Sequence, residues 1–458
     1  MQRVDRPGLG AGGGAGAGLA GADANIGGRD PLKWRRATAR LALLPLTAYN
    51  ALDAVGRTLW RLAVSGKRLL QWVTAADAEE QRDRVSLWPG VAIALLLAPG
   101  LLYARFPMAL IALMALFLVG PGWVGDMASE KADAKVPLTP RQQVALRDLA
   151  RRTWRFFEDN MPPEGSPLPP DNVQLDPPVG AARRTSPTNI ALYLLSCLSA
   201  RRLGLVGVEE ARRRMSATVD ALERLEKWHG QLYNWYDIDT LAPLKPRYVS
   251  SVDSGNLAAA LLLCANAPET GDALARRMTA LARGMDLVAL YDGQRDLFAI
   301  GFDVETGRAS ASHYDLLASE SRILSFAAMM LGQAPTRHWQ RLGRPCTRVG
   351  GGVAPLAWSG TLFEYLMPEL FFAAPPATLL GTGVRTAVAA QIAQGKRLKR
   401  PWGVSESGYC ALDAAMNYQY RAFGLKALAL DGEAVEGVVA PYAAALAALV
   451  APVRPPKT

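Results

Sequence analysis

Two adjacent apolar runs, Leu87–Tyr103 and Pro107–Val124, constrain the fold of this sequence more than any other feature. Each run approaches the roughly 17–25 residues that a membrane-spanning helix needs. Arg105 marks a turn between the two runs. A buried soluble hairpin is the alternative, but its helices would normally show a polar face, and these runs show none. The pattern therefore predicts a transmembrane helical hairpin over residues 86–125.

The segments before this hairpin differ from it and from each other. Residues 1–31 are mostly Gly and Ala, which bury too little apolar surface to offset the entropy of ordering, so we expect disorder there. Residues 32–85 mix leucines with arginines and lysines. This pattern is typical of basic amphipathic helices at an anionic membrane surface, or of ordinary amphipathic helices packed on another domain. Basic residues on both sides of the hairpin predict an inner-membrane, multi-pass protein whose catalytic domain is cytoplasmic.

Charge and metal-ligand content exclude several classes of function. The formal net charge of +10 raises nucleic acid, anionic lipid and acidic substrates as partners. The sequence has no zinc-finger spacing and no basic stretch interleaved with aromatic residues, so we expect no nucleic acid. The four cysteines are far apart, and the three histidines form no HxxxH pair. We therefore expect no disulfide framework, no metal site and no cofactor.

The rest of the chain has the composition of a soluble helical domain, which we place at residues 136–455. Thr139 and Pro140 predict the start of a helix, with the hydroxyl as N-cap and the proline in the first turn. A Pro-rich irregular passage follows at 161–187, and strand-like alternation is confined to pieces such as 297–302. Helical patterns then recur over 188–203, 208–228, 255–265, 270–290, 313–332, 359–372, 382–398, 413–429 and 438–450. Paired helices with aromatic-rich loops predict an all-α toroid, although an α-solenoid would give a similar pattern.

Six passages combine an acid with aromatic or other sugar-binding side chains. Aromatic faces stack on the apolar faces of pyranose rings, whereas Asp, Asn and Arg side chains bind sugar hydroxyls. Cleavage of a glycosidic bond also needs one carboxyl as proton donor and a second as base or nucleophile. These passages supply as candidates for substrate binding Asp171, Asn172, Trp235, Tyr236, Asp237, Asp253, Asn256, Tyr314, Asp315, Arg322, Trp358, Glu364, Trp402 and Tyr409.

Two acids in these passages are the hardest to explain as structural residues. Glu406 lies in a short Gly-flanked loop beside two aromatic residues, and Glu320 lies in an otherwise apolar helical pattern. An acid in apolar surroundings costs free energy unless it has a partner. No single passage holds two acids placed for catalysis, so the active pair must come from separate loops, and spacing alone does not select it. A turn, cap or backbone-bonded role is the alternative for Asp171, Asp237, Asp253 and Glu364.

Nine motifs, taken in order, resemble the central region of the cyclic β-1,2-glucan synthases. With the helices and apolar hairpin upstream, the resemblance covers about residues 32–455. The motifs are Arg184-Thr-Ser-Pro-Thr-Asn189, Tyr233-Asn-Trp-Tyr-Asp237, Tyr248-Val-Ser-Ser-Val-Asp-Ser-Gly-Asn-Leu257, Tyr314-Asp-Leu-Leu-Ala-Ser-Glu320, His338-Trp-Gln-Arg-Leu-Gly-Arg-Pro345, Trp358-Ser-Gly360, Phe363-Glu-Tyr-Leu-Met-Pro368, Pro401-Trp-Gly-Val-Ser-Glu-Ser407 and Asn417-Tyr-Gln-Tyr-Arg-Ala-Phe-Gly424.

The resemblance implies a glycoamylase-like (α/α)6 toroid that closes linear β-1,2-glucan into rings by retaining transglycosylation. Carried over motif by motif, it implies Glu320 as the acid/base, Glu406 as the nucleophile and Tyr418 as a further substrate contact. The family's glycosyltransferase and phosphorylase-like parts are not seen in this sequence, so separate polypeptides carrying them are expected partners. The toroid is expected to be incomplete at its C-terminus, because the chain ends before the family's tyrosine-rich last part.

Two positions depart from the family pattern near the expected site. His313 stands where the family usually has Tyr, and Cys410 stands where Asn is more typical. Two other functions therefore stay open beside cyclisation. One is hydrolysis, as an endo-β-1,2-glucanase, and the other is a non-catalytic membrane subunit that only binds glucan.

Overall fold

The computed structural model describes residues 31–60, 63–64, 88–103, 105, 107–128, 138–162, 165–376, 378–430 and 437–450. The chain divides into two compact units, Met1–Lys135 and Val136–Thr458. The segment for which we expect disorder lies outside the described residues except for Pro31. The last part of the basic segment, 65–85, also lies outside them.

Four helices form the described part of the N-terminal unit: α1 (Pro31–Ala42), α2 (Leu44–Trp60), α3 (Trp88–Leu97) and α4 (Pro107–Ala128). Both α1 and α3 pack on α4. A glycine allows the first of these contacts, because a Cβ atom at Gly120 would lie 2.5 Å from the Cβ of Ala42. On α2, Leu52 and Trp60 are more than half exposed. The location of this basic segment at an inner membrane stays a prediction.

The predicted transmembrane hairpin is not supported by this unit. Among the residues that the structure describes, no helix is both long enough and apolar enough to cross a membrane. The first apolar run is α-helical over only the ten residues of α3 and continues as a 3-10 helix at Ala98–Leu102. Ten α-helical residues span about 15 Å, whereas the apolar part of a bilayer is about 30 Å thick.

Ten helices form the described part of the C-terminal unit: α5 (Pro140–Asn160), α6 (Pro187–Arg202), α7 (Val208–Arg224), α8 (Ser251–Ala265), α9 (Asp272–Gly284), α10 (Arg322–Met330), α11 (Thr336–Arg341), α12 (Leu362–Leu366), α13 (Leu379–Leu398) and α14 (Pro441–Ala447). Helix α5 begins as predicted. The Thr139 hydroxyl accepts a hydrogen bond from the backbone N–H of Gln142 at 3.3 Å, and the Gln142 side chain accepts one from the Thr139 N–H at 2.9 Å. This reciprocal pair is a capping box.

Short antiparallel strands fill many of the loops between these helices. They form seven small sheets within the described residues. The strands, grouped by sheet, are β1 (Val173–Gln174) with β2 (Gly180–Ala181), β3 (Arg184–Thr185) with β6 (Tyr236–Asp237), β4 (Lys227–Trp228) with β5 (Gln231–Leu232), β7 (Tyr248–Ser250) with β10 (Gly301–Asp303) and β11 (Arg308–Ala309), β8 (Tyr291–Asp292) with β9 (Leu297–Ala299) and β12 (His313–Tyr314), β13 (Cys346–Val349) with β14 (Gly352–Pro355), and β15 (Ser407–Leu412) with β16 (Tyr418–Arg421).

The helix predicted over 413–429 is wrong, because this segment contains β16 and the turn before it. The Asp413 side chain accepts hydrogen bonds from the backbone N–H groups of Ala415 and Asn417 at 2.9 and 2.8 Å. Met416 has a positive φ of 64°. A side chain that bonds the backbone ahead of it stabilises a turn in competition with a helix. The helical pattern predicted from residue 313 is also partly wrong, since α10 begins only at Arg322.

The loop hairpins at the two ends of the C-terminal unit contact each other. The Gln174 side chain on β1 donates a hydrogen bond to the Met416 carbonyl at 2.8 Å and accepts one from the Tyr418 N–H at 2.9 Å. The Tyr418 hydroxyl donates to the Asp176 carbonyl oxygen at 2.6 Å. These three bonds join segments that lie more than 240 residues apart in sequence.

Helix α8 packs against α6, α9 and α10 and organises the first hydrophobic cluster of the unit. A Cβ atom at Gly255 would lie 2.4 Å from the Cα of Leu324 on α10. Since real Cβ atoms do not approach so closely, glycine is what lets α8 and α10 meet. Asp253 lies near the start of α8, and Glu320 lies two residues before the first residue of α10. The spacing of these two helices therefore controls the positions of two candidate site residues.

We predict that Gly255→Ala lowers the free energy of unfolding by about 1–3 kcal/mol, because its methyl group would overlap α10. Urea unfolding of the full chain measures the change. Gly284→Ala, at the end of α9, is the control, because its Cβ would meet no atom within 4 Å beyond its own helix neighbours. We expect the control to stay within about 0.5 kcal/mol of the parent protein. Equal stabilities for the two variants would contradict the close packing of α8 on α10.

Candidate active site

Carboxyl groups from four separate segments influence one another in the C-terminal unit. Burial, followed by the charge of Glu320, raises the pKa of Glu406 to about 7 and that of Glu364 to about 8. Burial also raises the pKa of Glu320, and the charge of Asp253 raises it further. A charge acts in this way only on a nearby group, so Glu320 lies near Glu406, Glu364 and Asp253. Clusters of carboxyls with perturbed pKa values are typical of catalytic sites.

Glu320 lies in a turn that a buried arginine fixes in place. The Ser319 hydroxyl donates a hydrogen bond to the Glu320 carboxylate at 3.2 Å. The Arg322 guanidinium is fully buried and donates to the carbonyl oxygens of Ser319 at 3.1 Å, Glu364 at 2.9 Å and Tyr365 at 2.6 Å. Arg322 is a predicted substrate-binding residue, but its two Nη groups join the Glu320 turn to α12.

Glu364 is 5% exposed and caps the helix on which it lies. Its carboxylate accepts hydrogen bonds from the backbone N–H groups of Thr361 at 2.9 Å and Ser359 at 3.2 Å. The Thr361 hydroxyl accepts from the Glu364 N–H at 3.1 Å, which completes a capping box. A carboxyl bonded to nearby backbone is the structural role that the sequence left open for Glu364. The charge of Glu320 nevertheless raises the pKa of this carboxyl.

Glu406 directly precedes β15, and bonds to both its backbone and its side chain hold it. The Tyr420 hydroxyl on β16 donates to the Glu406 carboxylate. The Tyr442 hydroxyl on α14 donates to the Glu406 carbonyl oxygen at 3.0 Å and lies 2.9 Å from the Ser405 hydroxyl. The Ser405 hydroxyl in turn accepts from the Phe363 N–H at 3.0 Å. None of these partner residues was among the predicted site residues.

Asp253 belongs to a continuous chain of polar side chains. The Thr188 hydroxyl donates to one Asp253 carboxylate oxygen at 2.5 Å. The Asn234 amide donates to the other at 3.2 Å, and its oxygen accepts from the Trp235 indole N–H at 3.1 Å. The Asn256 amide donates to the Thr188 hydroxyl at 3.0 Å. These hydrogen bonds therefore connect three predicted site residues, Asp253, Asn256 and Trp235. The connecting residues, Thr188 and Asn234, were not predicted as site residues.

Three further predicted residues carry polar groups in buried surroundings. Oδ1 of Asn256 and Oδ1 of Asp315 are buried acceptors without a hydrogen-bond partner among the described residues. A buried polar atom without a partner costs free energy. Burial has the largest effect on the pKa of Tyr314 and raises it, and the charge of Glu320 raises it further. Tyr314 therefore lies close to Glu320. These groups could bind the hydroxyls of a sugar.

A second group of predicted residues gathers around Arg184. Its guanidinium carbon lies 4.5 Å from the centre of the Trp235 ring, in a cation–π arrangement. The same guanidinium donates to the Asp171 carboxylate at 3.1 Å. Asn189 and Asn172 also donate to Asp171, at 3.2 and 3.1 Å. Arg184 thus connects Asp171 and Asn172 to Trp235, a link that sequence spacing could not reveal.

Two predicted residues are engaged in the protein's own structure. Tyr236 is fully buried, and its hydroxyl donates to the Glu226 carbonyl oxygen at 2.6 Å. The Asp237 carboxylate accepts from the backbone N–H groups of Asp239 and Thr240 at 3.0 and 2.8 Å. These backbone bonds lower the pKa of Asp237. Asp237 therefore has the turn role that was its alternative.

The remaining predicted aromatic residues are Trp358, Trp402, Tyr409 and Tyr418, of which Tyr409 lies on β15 and Tyr418 on β16. The hydroxyl of Tyr418 is used on the Asp176 carbonyl oxygen, and that of Tyr409 donates to a side chain of β16 at 3.3 Å. Trp402 is half-buried against the second hydrophobic cluster, formed mainly around α12 and α13. Trp358 is 43% exposed and has a free ring surface.

The cluster as a whole is equipped for proton transfer. A carboxyl whose pKa lies near neutral pH can both hold and release a proton at physiological pH. Glycosidic bond cleavage needs two carboxyl groups in different protonation states. Glu320 and Glu406 are a candidate pair. Among the residues for which the structure gives positions, no group of three or more His, Cys, Asp and Glu side chains could hold a metal ion.

Comparison with known proteins gives a family match over part of this chain and a curated relative that is much longer than this chain. Residues 148–280 match a family described as a protein of unknown function, DUF3131. The chain is 32% identical, over 567 aligned residues, to the cyclic β-(1,2)-glucan synthase NdvB of Rhizobium meliloti (strain 1021). The alignment covers 91% of this chain and 20% of the synthase. The chain thus spans about a fifth of the length of that relative.

Solved structures of two endo-β-1,2-glucanases are similar to the chain. The enzyme from Talaromyces funiculosus, in complex with sophorose, gives a TM-score of 0.56 at 13% identity, covering 68% of this chain and 75% of that one. The enzyme from Chitinophaga pinensis gives 0.51 at 15% identity, covering 64% and 76%. At these identities the likeness shows the fold alone. The chain is therefore similar to part of a cyclic β-1,2-glucan synthase and has a glucoamylase-like, (α/α)6-type toroid fold.

Proposed function

We propose that this chain acts on β-1,2-glucan as a retaining transglycosylase that closes linear chains into rings. The observation that carries the proposal is the pair Glu320 and Glu406, which come from separate segments and both have a raised pKa, with the charge of Glu320 contributing to the rise at Glu406. The glucan is suggested by the similarity to the R. meliloti synthase. Its linear form would come from a glycosyltransferase reaction supplied by another polypeptide or domain, and a phosphorylase-like partner is part of the same proposal.

The roles of the two acids follow the resemblance of their motifs, with Glu406 as the nucleophile and Glu320 as the proton donor. Each carboxylate accepts a hydrogen bond from a hydroxyl group, which favours its charged form. Burial is the largest influence on both and favours the neutral acid. In the first step, Glu406 attacks the anomeric carbon while Glu320 protonates the departing glycosidic oxygen. In the second step, a 2-hydroxyl from the other end of the same glucan gives its proton to Glu320 and displaces Glu406.

Sugar binding is assigned to the predicted residues that still offer a polar atom or a ring. Asn256 and Asp315 provide buried acceptors without a partner among the described residues. Trp358 provides an exposed ring. We place Asp253 beside the reacting sugar because its charge influences Glu320. Hydrogen bonds through Asn234 link Trp235 to Asp253, so Trp235 would contact the same bound glucan.

Hydrolysis is the second candidate, because the fold resembles that of two endo-β-1,2-glucanases. The two reactions share the first step and differ in the acceptor, which is a sugar hydroxyl in transfer and water in hydrolysis. Incubation of the full chain with linear β-1,2-glucan separates them by mass spectrometry. We expect ring products, which lack the mass of one water relative to linear chains of the same length. Short linear products alone would favour the glucanase.

We predict that Glu320→Gln and Glu406→Gln each lower the rate of product formation at least about 100-fold, because each removes a proton-transfer or nucleophilic group. The rate is measured on linear β-1,2-glucan with protein of verified thermal stability. Glu305→Gln is the matched control, since Glu305 is an exposed loop residue, and should keep the parent rate. Full activity in Glu406→Gln would contradict its role as nucleophile.

We predict that kcat/KM rises as pH increases through about 7, the raised pKa of Glu406. Below this pH the carboxyl is protonated and cannot attack, whereas above it the carboxylate is the main form. The fall on the alkaline side should follow at higher pH, when the acid/base carboxyl loses its proton. Because the two acids interact, the two limbs report the pair. A rising limb near the ordinary glutamate value of 4.5 would contradict the role given to Glu406.

A further inference from the structure

The Tyr420 hydroxyl is a direct contact of the Glu406 carboxylate that the sequence motifs did not single out. Pairing of β15 with β16 places Tyr420 opposite Gly408, two residues after Glu406. The tyrosine is 66% exposed as a whole, so its hydroxyl is fixed while much of its ring is not covered by protein.

The groups that face Glu406 from other segments make this hydrogen bond important. Glu320, Glu364 and Tyr314 all interact electrostatically with the Glu406 carboxylate. A charged Glu320 or Glu364 disfavours a charge on Glu406. The Tyr442 hydroxyl, from α14, is used on the backbone carbonyl of Glu406 rather than on its carboxylate.

Few donors therefore serve the carboxylate itself. Hydrogen bonds from Tyr420 and from Thr361 both lower the pKa of Glu406, against the larger effect of burial. The Thr361 hydroxyl is shared, because it also accepts the N–H bond that caps α12. Desolvation and the charge of Glu406 raise the pKa of Tyr420 far above its ordinary value, so the phenol keeps its proton. Tyr420 is thus a permanent donor to the carboxylate.

We propose that Tyr420 is a positioning residue for the catalytic carboxylate of Glu406. Its hydroxyl binds one carboxylate oxygen, Oε2, which leaves the other oxygen to form the bond with the anomeric carbon. The same bond stabilises the carboxylate when the sugar–oxygen bond breaks in the second step. This inference rests on the proposed function for the nucleophilic role of Glu406, whereas the Tyr420–Glu406 link can be tested without activity.

The test compares Tyr420→Phe, which removes only the hydroxyl, with the parent full-length protein. Carbon-13 NMR of glutamate labelled at its side-chain carboxyl follows the titration, and Glu406→Gln identifies the Glu406 signal by its loss. Loss of a hydrogen bond to a charged group should raise the pKa of Glu406 by about one unit. Tyr291→Phe is the matched control, because the Tyr291 hydroxyl also bonds a carboxylate, that of Asp296, at 3.1 Å. The control should leave the Glu406 titration and the activity unchanged.

Activity on linear β-1,2-glucan gives a second readout. In Tyr420→Phe the rising limb of kcat/KM should move to higher pH by the same amount, with about a tenfold loss at pH values below the limb. A Glu406 titration that Tyr420→Phe leaves unchanged would overturn the inference, whatever the activity. If the titration shifts but the parent protein does not act on the glucan, the positioning contact stands and the proposed function fails.

Discussion

The buried guanidinium of Arg322 is the interaction on which the candidate site depends. It is the largest side chain that the described structure buries completely, and burial lowers its pKa to about 10, which still leaves it charged at neutral pH. A charge removed from water is tolerated only with good partners. Arg322 finds them in the carbonyl oxygens of Ser319, Glu364 and Tyr365 and in the Glu369 carboxylate at 3.5 Å. These bonds fix the turn that carries Glu320 against α12.

The acids near this cation divide their work between structure and chemistry. The Glu364 carboxylate is committed to backbone N–H groups, so it is poorly placed to exchange a ligand. Glu320 and Glu406 each bond a hydroxyl group, which is a more flexible partner. A charge on one of these acids makes a charge on its neighbour less favourable, so the protonation of Glu406 and Glu364 depends on that of Glu320.

The sequence was most informative where local rules decide the structure. The cap at Thr139, and helices α6 and α7 at 187–202 and 208–224, lie close to their predicted positions, because capping groups and helical periodicity act over a few residues. The predicted helix at 413–429 is wrong, because an Asx turn outcompetes helical propensity there. Partners such as Asn234 and Thr188 act across the fold. Such contacts depend on tertiary packing, which spacing in one sequence does not encode.

The bonds between Gln174 and the hairpin of β15 and β16 also bear on when the site can form during synthesis. They join segments separated by more than 240 residues, and contacts of such separation form late because closing a long loop costs entropy. A ribosome releases the N-terminal segments first. Gln174 therefore has neither of its partners until Met416 and Tyr418 have left the ribosome. The nascent protein can therefore fold many of its helices while its reactive carboxyls are still apart. Any chaperone that binds the growing chain would meet folded helices before the carboxyl cluster has formed.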